Sequence, residues 1–68
     1  MRTLDAYRVA VRVGRAWWHE VRPHVGACAI DLPSTDERRQ AREVLGPAVW
    51  QEAVKSGERF EIAQHGRQ

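Results

Sequence analysis

The sequence is poor in the residues that support most chemistry and most large cores. Its 68 residues contain one cysteine, one methionine, three prolines and five glycines. A single thiol, Cys28, forms no internal disulfide, and it lies in a small apolar run that is typical of a core residue. No apolar run approaches the roughly 20 residues of a membrane span. These shortages predict one small cytoplasmic domain, residues 1–68, without a membrane segment.

Catalytic and metal-binding patterns are also missing. The five glycines are scattered and form no phosphate-binding loop. Cys28 and the three histidines lack the close cysteine pair that structural zinc usually requires. Ser34 is placed as a helix cap rather than beside a base, and the acidic residues alternate with arginines as on a solvated surface. We therefore expect no catalytic residues, no metal and no cofactor.

Large apolar residues are few for a chain that folds alone. A domain of this size buries only about 60% of its unfolded surface, so a partner or a second copy is a reasonable source of further burial. We therefore consider both a homodimer and a larger protein partner. The large apolar residues are Leu4, Tyr7, Trp17, Trp18, Ile30, Leu32, Leu45, Trp50, Phe60 and Ile62.

The N-terminal third of the chain supports two interpretations. Tyr7, Val9, Val11 and Val13 alternate with polar or small residues, which favours a half-buried strand over residues 7–13, with a second strand over 16–21. A heptad spacing is present as well, and it would give a helix over residues 3–22 that Pro23 ends. The residues that would fall on one face of this helix are Leu4, Tyr7, Val11, Gly14, Trp18, Val21 and Val25. We favour the strand.

The remaining segments are easier to assign. Residues 27–32 form a short apolar run that predicts a buried strand. Ser34 or Thr35 is expected to cap a helix over about 36–45, and Gly46-Pro47 would separate it from a second helix over about 47–55. Alternation over residues 58–63 predicts a final strand that needs a neighbouring strand. The predicted fold class is α+β, with a two- or three-stranded sheet packed against two helices.

Two surfaces are candidates for function. Adjacent Trp17 and Trp18 are hard to bury together in so small a core, and Arg15 and Arg22 flank them. Exposed tryptophan beside arginine is typical of a binding hot spot. Ten of the eleven basic residues are arginine, which suits phosphate or an acidic protein face. The predicted protein-binding residues are therefore Arg15, Trp17, Trp18 and Arg22.

From Ser34 onward the sequence resembles a known family over about half of the chain. Ala41-Arg42-Glu43-Val44-Leu45, a second short helix and the run from Gly57 to Arg67 are similar to Phd/YefM-type antitoxins. These are small dimeric DNA-binding proteins of toxin–antitoxin operons. The resemblance implies nucleic-acid binding by Arg38, Arg42 and Arg67. It predicts an antitoxin-like DNA-binding regulator, and the alternative is a phage- or plasmid-encoded inhibitor, such as an anti-CRISPR-like protein, that binds and blocks a larger protein.

Overall fold

The computed structural model describes residues 1–21 and 33–65, except for the side chains of residues 18–21 and 65. Helix α1 spans Thr3–Val21, and helix α2 spans Thr35–His65. Within these two ranges there is no strand. The predicted α+β class and its sheet are therefore wrong, because the regular structure of the described residues consists of two helices. The strand predicted over residues 27–32 lies outside the described residues.

Helix α1 replaces the two strands predicted over residues 7–13 and 16–21. A helix turns about 100° per residue, so positions two apart point in nearly opposite directions. Val9 is accordingly buried while Tyr7 is exposed. The buried positions are spaced as a helical stripe: Ala6, Val9, Ala10 and Ala16. The helical interpretation of the heptad spacing was correct, and packing outweighs the weak β preference of the valines.

Helix α2 begins where the sequence predicted it. The Ser34 hydroxyl accepts a hydrogen bond from the backbone N–H of Glu37 at 3.2 Å, and the Ser34 backbone N–H donates to the Glu37 carboxylate at 3.4 Å. This reciprocal pair is a capping box. The Ser34 carbonyl also accepts from the N–H of Arg38, which closes the first helical turn. Ser34 is therefore the N-cap, one of the two residues predicted for this position.

Gly46 bends α2 into a first arm, residues 35–45, and a second arm, residues 47–65. Its backbone has φ 81° and ψ 161°, which is accessible essentially only to glycine. Pro47 then occupies the first position of the second arm, where its missing N–H costs nothing. A straight helix of 31 residues would be about 46 Å long, whereas the longest dimension of the molecule is 36 Å.

The bend is required by the apolar pattern of the two arms. In a straight helix, Ala41 and Trp50 would lie about 180° apart. Both nevertheless belong to one buried cluster with Ala6, Ala10 and Ala53. By changing direction at Gly46, both arms reach the same short stretch of α1. The predicted break between the helices was thus at the correct residue.

The second arm is longer than predicted and includes the segment expected to be a strand. Its helix runs through Ser56-Gly57, where an end was expected at residue 55, and continues to His65. The prediction of a strand over residues 58–63 is therefore wrong. Gly57 was interpreted as a terminator, but its role is to let two helices approach closely, since it has an ordinary negative φ.

Two glycines mark the point where α1 and the second arm cross. A Cβ on Gly14 would overlap the Val54 carbonyl and lie 3.0 Å from the Glu58 nitrogen, and a Cβ on Gly57 would overlap the Val11 carbonyl. Before the crossing, Ala6 and Ala10 share the core with residues 50 and 53. After it, Arg15 pairs with Glu61. The two helices therefore run in the same direction.

Candidate binding surface

One edge of α1 carries a row of apolar residues at the border of the core, against which its half-buried member Val11 packs. Leu4, Tyr7, Val11 and Arg15 are spaced by three or four residues and so follow one side of the helix. Leu4 is 61% exposed, Tyr7 is exposed and Val11 is half-buried. Arg15 ends the row by contacting Phe60 of the second arm. We call this row together with Phe60 the α1–Phe60 surface.

Arg15 is held in place from two directions. Its Nε donates a hydrogen bond to the Glu61 carboxylate at 2.5 Å, and its guanidinium lies over the Phe60 ring at 4.7 Å from the centroid. The Glu61 side chain is only 4% exposed, whereas that of Arg15 is 39% exposed. A buried carboxylate and an aromatic face thus fix a cation at the molecular surface.

Basic residues border this surface on one side. Arg8 and Arg12 are exposed, and with Arg15 they are spaced by four and three residues. This spacing places all three on the same side of α1, next to Leu4. Phe60 itself is 47% exposed. The surface therefore combines exposed apolar groups with a positively charged rim.

The structure separates the residues predicted to form a tryptophan-centred site. Trp17 is exposed, at 45%. It lies about 200° around α1 from Arg15, so the two side chains leave the helix on opposite sides. The side chain of Trp18 and all of Arg22 lie outside the described residues. Of the four predicted protein-binding residues, Arg15 belongs to the α1–Phe60 surface and Trp17 does not.

The predicted nucleic-acid-binding residues Arg38 and Arg42 lie together on the first arm. They are four residues apart and therefore adjacent on the helix surface. Arg42 is exposed and stacks over the Trp50 ring at 5.5 Å, while Arg38 is half-buried and donates to the Thr35 hydroxyl at 3.2 Å. Both guanidiniums thus have intramolecular contacts. Arg67 lies outside the described residues.

Metal ligands do not cluster among the described residues. They include no group of three or more histidine, cysteine, aspartate or glutamate side chains that could hold a metal ion. A shallow groove of about 280 Å³ lies along one side of the second arm. Its lining is mixed, with Trp50, Gln51, Val54, Lys55 and Glu58.

Within the described ranges, neither helix is long and apolar enough to cross a membrane. Comparison with known proteins found no matching family model, no matching curated protein and no matching solved structure.

The sequence patterns did not identify Leu4, Tyr7 and Phe60 as residues of a binding surface. The signal for the first two was the heptad spacing, which already grouped Leu4, Tyr7 and Val11 on one side of a helix. Phe60 was assigned together with Ile62 to the inner face of a strand. In the helix these two residues lie about 200° apart, and both are exposed.

Proposed function

We propose that this chain is a small non-enzymatic binding protein that acts by covering part of a larger protein, and that the α1–Phe60 surface makes the contact. The observation that supports the proposal is the distribution of apolar side chains. Among the described residues, the core consists mainly of alanines with Val9 and Trp50, whereas Leu4 and Phe60 remain about half exposed or more. Exposed apolar groups beside a polar rim are typical of interaction sites.

Two further observations agree with this proposal. Arginine stacked on an aromatic ring, as Arg15 is on Phe60, is a common hot-spot arrangement. The lone Cys28 is consistent with action in the reducing cytoplasm.

Affinity capture from nuclease-treated extract of the native host tests this function. The tagged chain is expected to retain one protein in near-stoichiometric amount, and Phe60→Ser should lose it. Glu43→Ala is the matched control, since Glu43 is exposed on the first arm, away from this surface. Retention of no protein above background, or equal retention by Phe60→Ser and the wild type, would refute the proposal.

An antitoxin-like DNA-binding regulator is the second candidate. Its support is the adjacent pair Arg38 and Arg42 on the first arm, the residues to which the family resemblance assigns phosphate contact. Gel shifts with DNA from the chain's own operon should then show binding that weakens steeply with salt, because phosphate contacts release counterions. Arg42→Ala should weaken it and Arg59→Ala should not. Absence of binding at low salt would eliminate this candidate.

A further inference from the structure

We infer that the Arg15 guanidinium is a receptor for a carboxylate on the bound protein, so that the partner presents an acidic residue beside an apolar one. The inference rests on the proposed protein-binding function and adds the chemistry of the partner. Arg15 is the cation where the α1 row meets Phe60, and its contacts with Phe60 and Glu61 fix its orientation before any partner arrives.

The hydrogen bond between Arg15 and Glu61 uses one of the N–H donors of the Arg15 guanidinium. Its hydrogen bond to Glu61 uses Nε, at 2.5 Å. A guanidinium has five N–H donors in a planar fork, so four remain on the two terminal nitrogens. The side chain is 39% exposed, which leaves part of the fork open to an outside acceptor. Carboxylates fit this fork and make charge-assisted hydrogen bonds with it.

Arg15 is also preorganised for binding. The Phe60 ring lies against its guanidinium, and the Glu61 carboxylate, on a side chain that is 4% exposed, accepts the hydrogen bond from its Nε. An arginine held in this way loses less rotamer entropy when it binds an outside group than a free surface arginine would. The exposed Phe60 ring then offers an apolar contact immediately beside the charge.

Charge complementarity selects an acidic partner over a second copy of this chain. Arg8 and Arg15 are seven residues apart and follow the same side of α1. A two-fold dimer through this surface would bring the same basic side chains together, and like charges across an interface are unfavourable. An acidic protein surface meets the rim with opposite charge.

Nucleic acid also carries negative charge but fits this surface less well. The exposed residues that accompany Arg15 include two aromatic rings, Tyr7 and Phe60, but also Leu4, which is aliphatic and offers no ring for base stacking. The whole chain has a formal net charge of only +2. Phosphate recognition would favour a broader basic face without exposed aliphatic residues.

A peptide titration followed by NMR of the full chain tests the inference. The probe is a short synthetic peptide of alternating glutamate and leucine, and its control replaces each glutamate with glutamine. The glutamate peptide should shift the Arg15 Nε–H signal and the Phe60 ring signals, with affinity that falls as salt is added. The glutamine peptide should bind about tenfold more weakly, the difference expected for losing a charge-assisted pair.

Two variants distinguish loss of the carboxylate-binding site at Arg15 from a general loss of folded structure. Arg15→Met with Glu61→Met removes both charges together and leaves no unpaired buried carboxylate. It should keep the helical circular dichroism and lose the preference for the glutamate peptide. Arg39→Ala, exposed on the first arm, should bind like the wild type.

Equal affinity for the two peptides would overturn the inference. Tighter binding of mixed-sequence duplex DNA, with shifts at the same signals, would also overturn it, as would concentration-dependent self-association that shifts them without peptide. These outcomes are separate from the capture experiment. A host protein that is lost with Phe60→Ser but insensitive to the Arg15–Glu61 double substitution would leave the proposed function standing and reject the carboxylate receptor.

Discussion

At the scale of single residues, the fold depends on two glycines in helical conformation. Alanine in place of a mid-helix glycine normally stabilises a helix by up to about 1 kcal/mol. At Gly14 and Gly57 the missing side chain lets the backbone of one helix touch that of the other. The usual effect of the substitution should therefore be reversed at both positions.

Gly57→Ala is expected to destabilise the protein by about 2–3 kcal/mol, the upper range for forcing extra atoms into a packed interface. The added Cβ would meet the Val11 carbonyl and lie 3.1 Å from the Arg15 nitrogen, both of which are backbone atoms that cannot rotate away. Urea unfolding measures the change. Ser56→Ala, one residue earlier, should alter the free energy of unfolding by less than about 0.5 kcal/mol. Equal effects of the two substitutions would mean that the helices do not cross here.

The Arg15–Glu61 pair makes a second prediction at this scale. Arg15→Met should lower the free energy of unfolding by about 2 kcal/mol at neutral pH, because it removes a cation from a buried carboxylate. The cost stays below that for a fully buried pair, since Arg15 is partly exposed and Glu61 has a further interaction. Adding Glu61→Met should recover most of the loss in the same unfolding measurement. A double variant as unstable as the single one would contradict a buried ion pair.

At the scale of helices, local patterns predicted α2 better than α1. The capping residues, the acidic first turn and the Gly46-Pro47 break all act within a few residues, and the structure has the corresponding cap and bend. Whether residues 7–13 and 58–63 form a helix or a strand depends on which distant segment packs against them. Period-two alternation suggested a strand over residues 58–63, and Gly57 suggested a helix end. Both indications were wrong. Gly57 makes room for a contact between two helices, and no local pattern reveals such a contact.

Gly46→Ala is the corresponding prediction for the bend. The substitution should cost about 1–3 kcal/mol, because a side chain at φ 81° and ψ 161° is strained even where space is open around it. Urea unfolding with circular dichroism should show a lower midpoint and little loss of helix in the folded state. Gln40→Ala, exposed on the first arm, is the control. Unchanged stability of Gly46→Ala would indicate that the two arms form one straight helix.

At the scale of the whole molecule, composition predicted a thin core but not which side chains meet at the surface. The shortage of large apolar residues suggested a thin core, and the buried cluster does consist mostly of alanines. Arg15 was selected for its type and its neighbours, yet its contacts with Phe60 and Glu61 span more than forty positions of sequence. Such contacts can be predicted only when the directions of the helices and the point where they cross are known.

Hydroxyl-radical footprinting of the free chain, and of its complex with the captured host protein, tests the central claim most directly. In the free chain Leu4, Tyr7 and Phe60 should react rapidly while the buried Trp50 reacts slowly. In the complex these three residues should be protected, and Val44, exposed on the first arm, should remain reactive. Slow reaction of Phe60 in the free chain, or unchanged reactivity of Leu4, Tyr7 and Phe60 in the complex, would contradict the account.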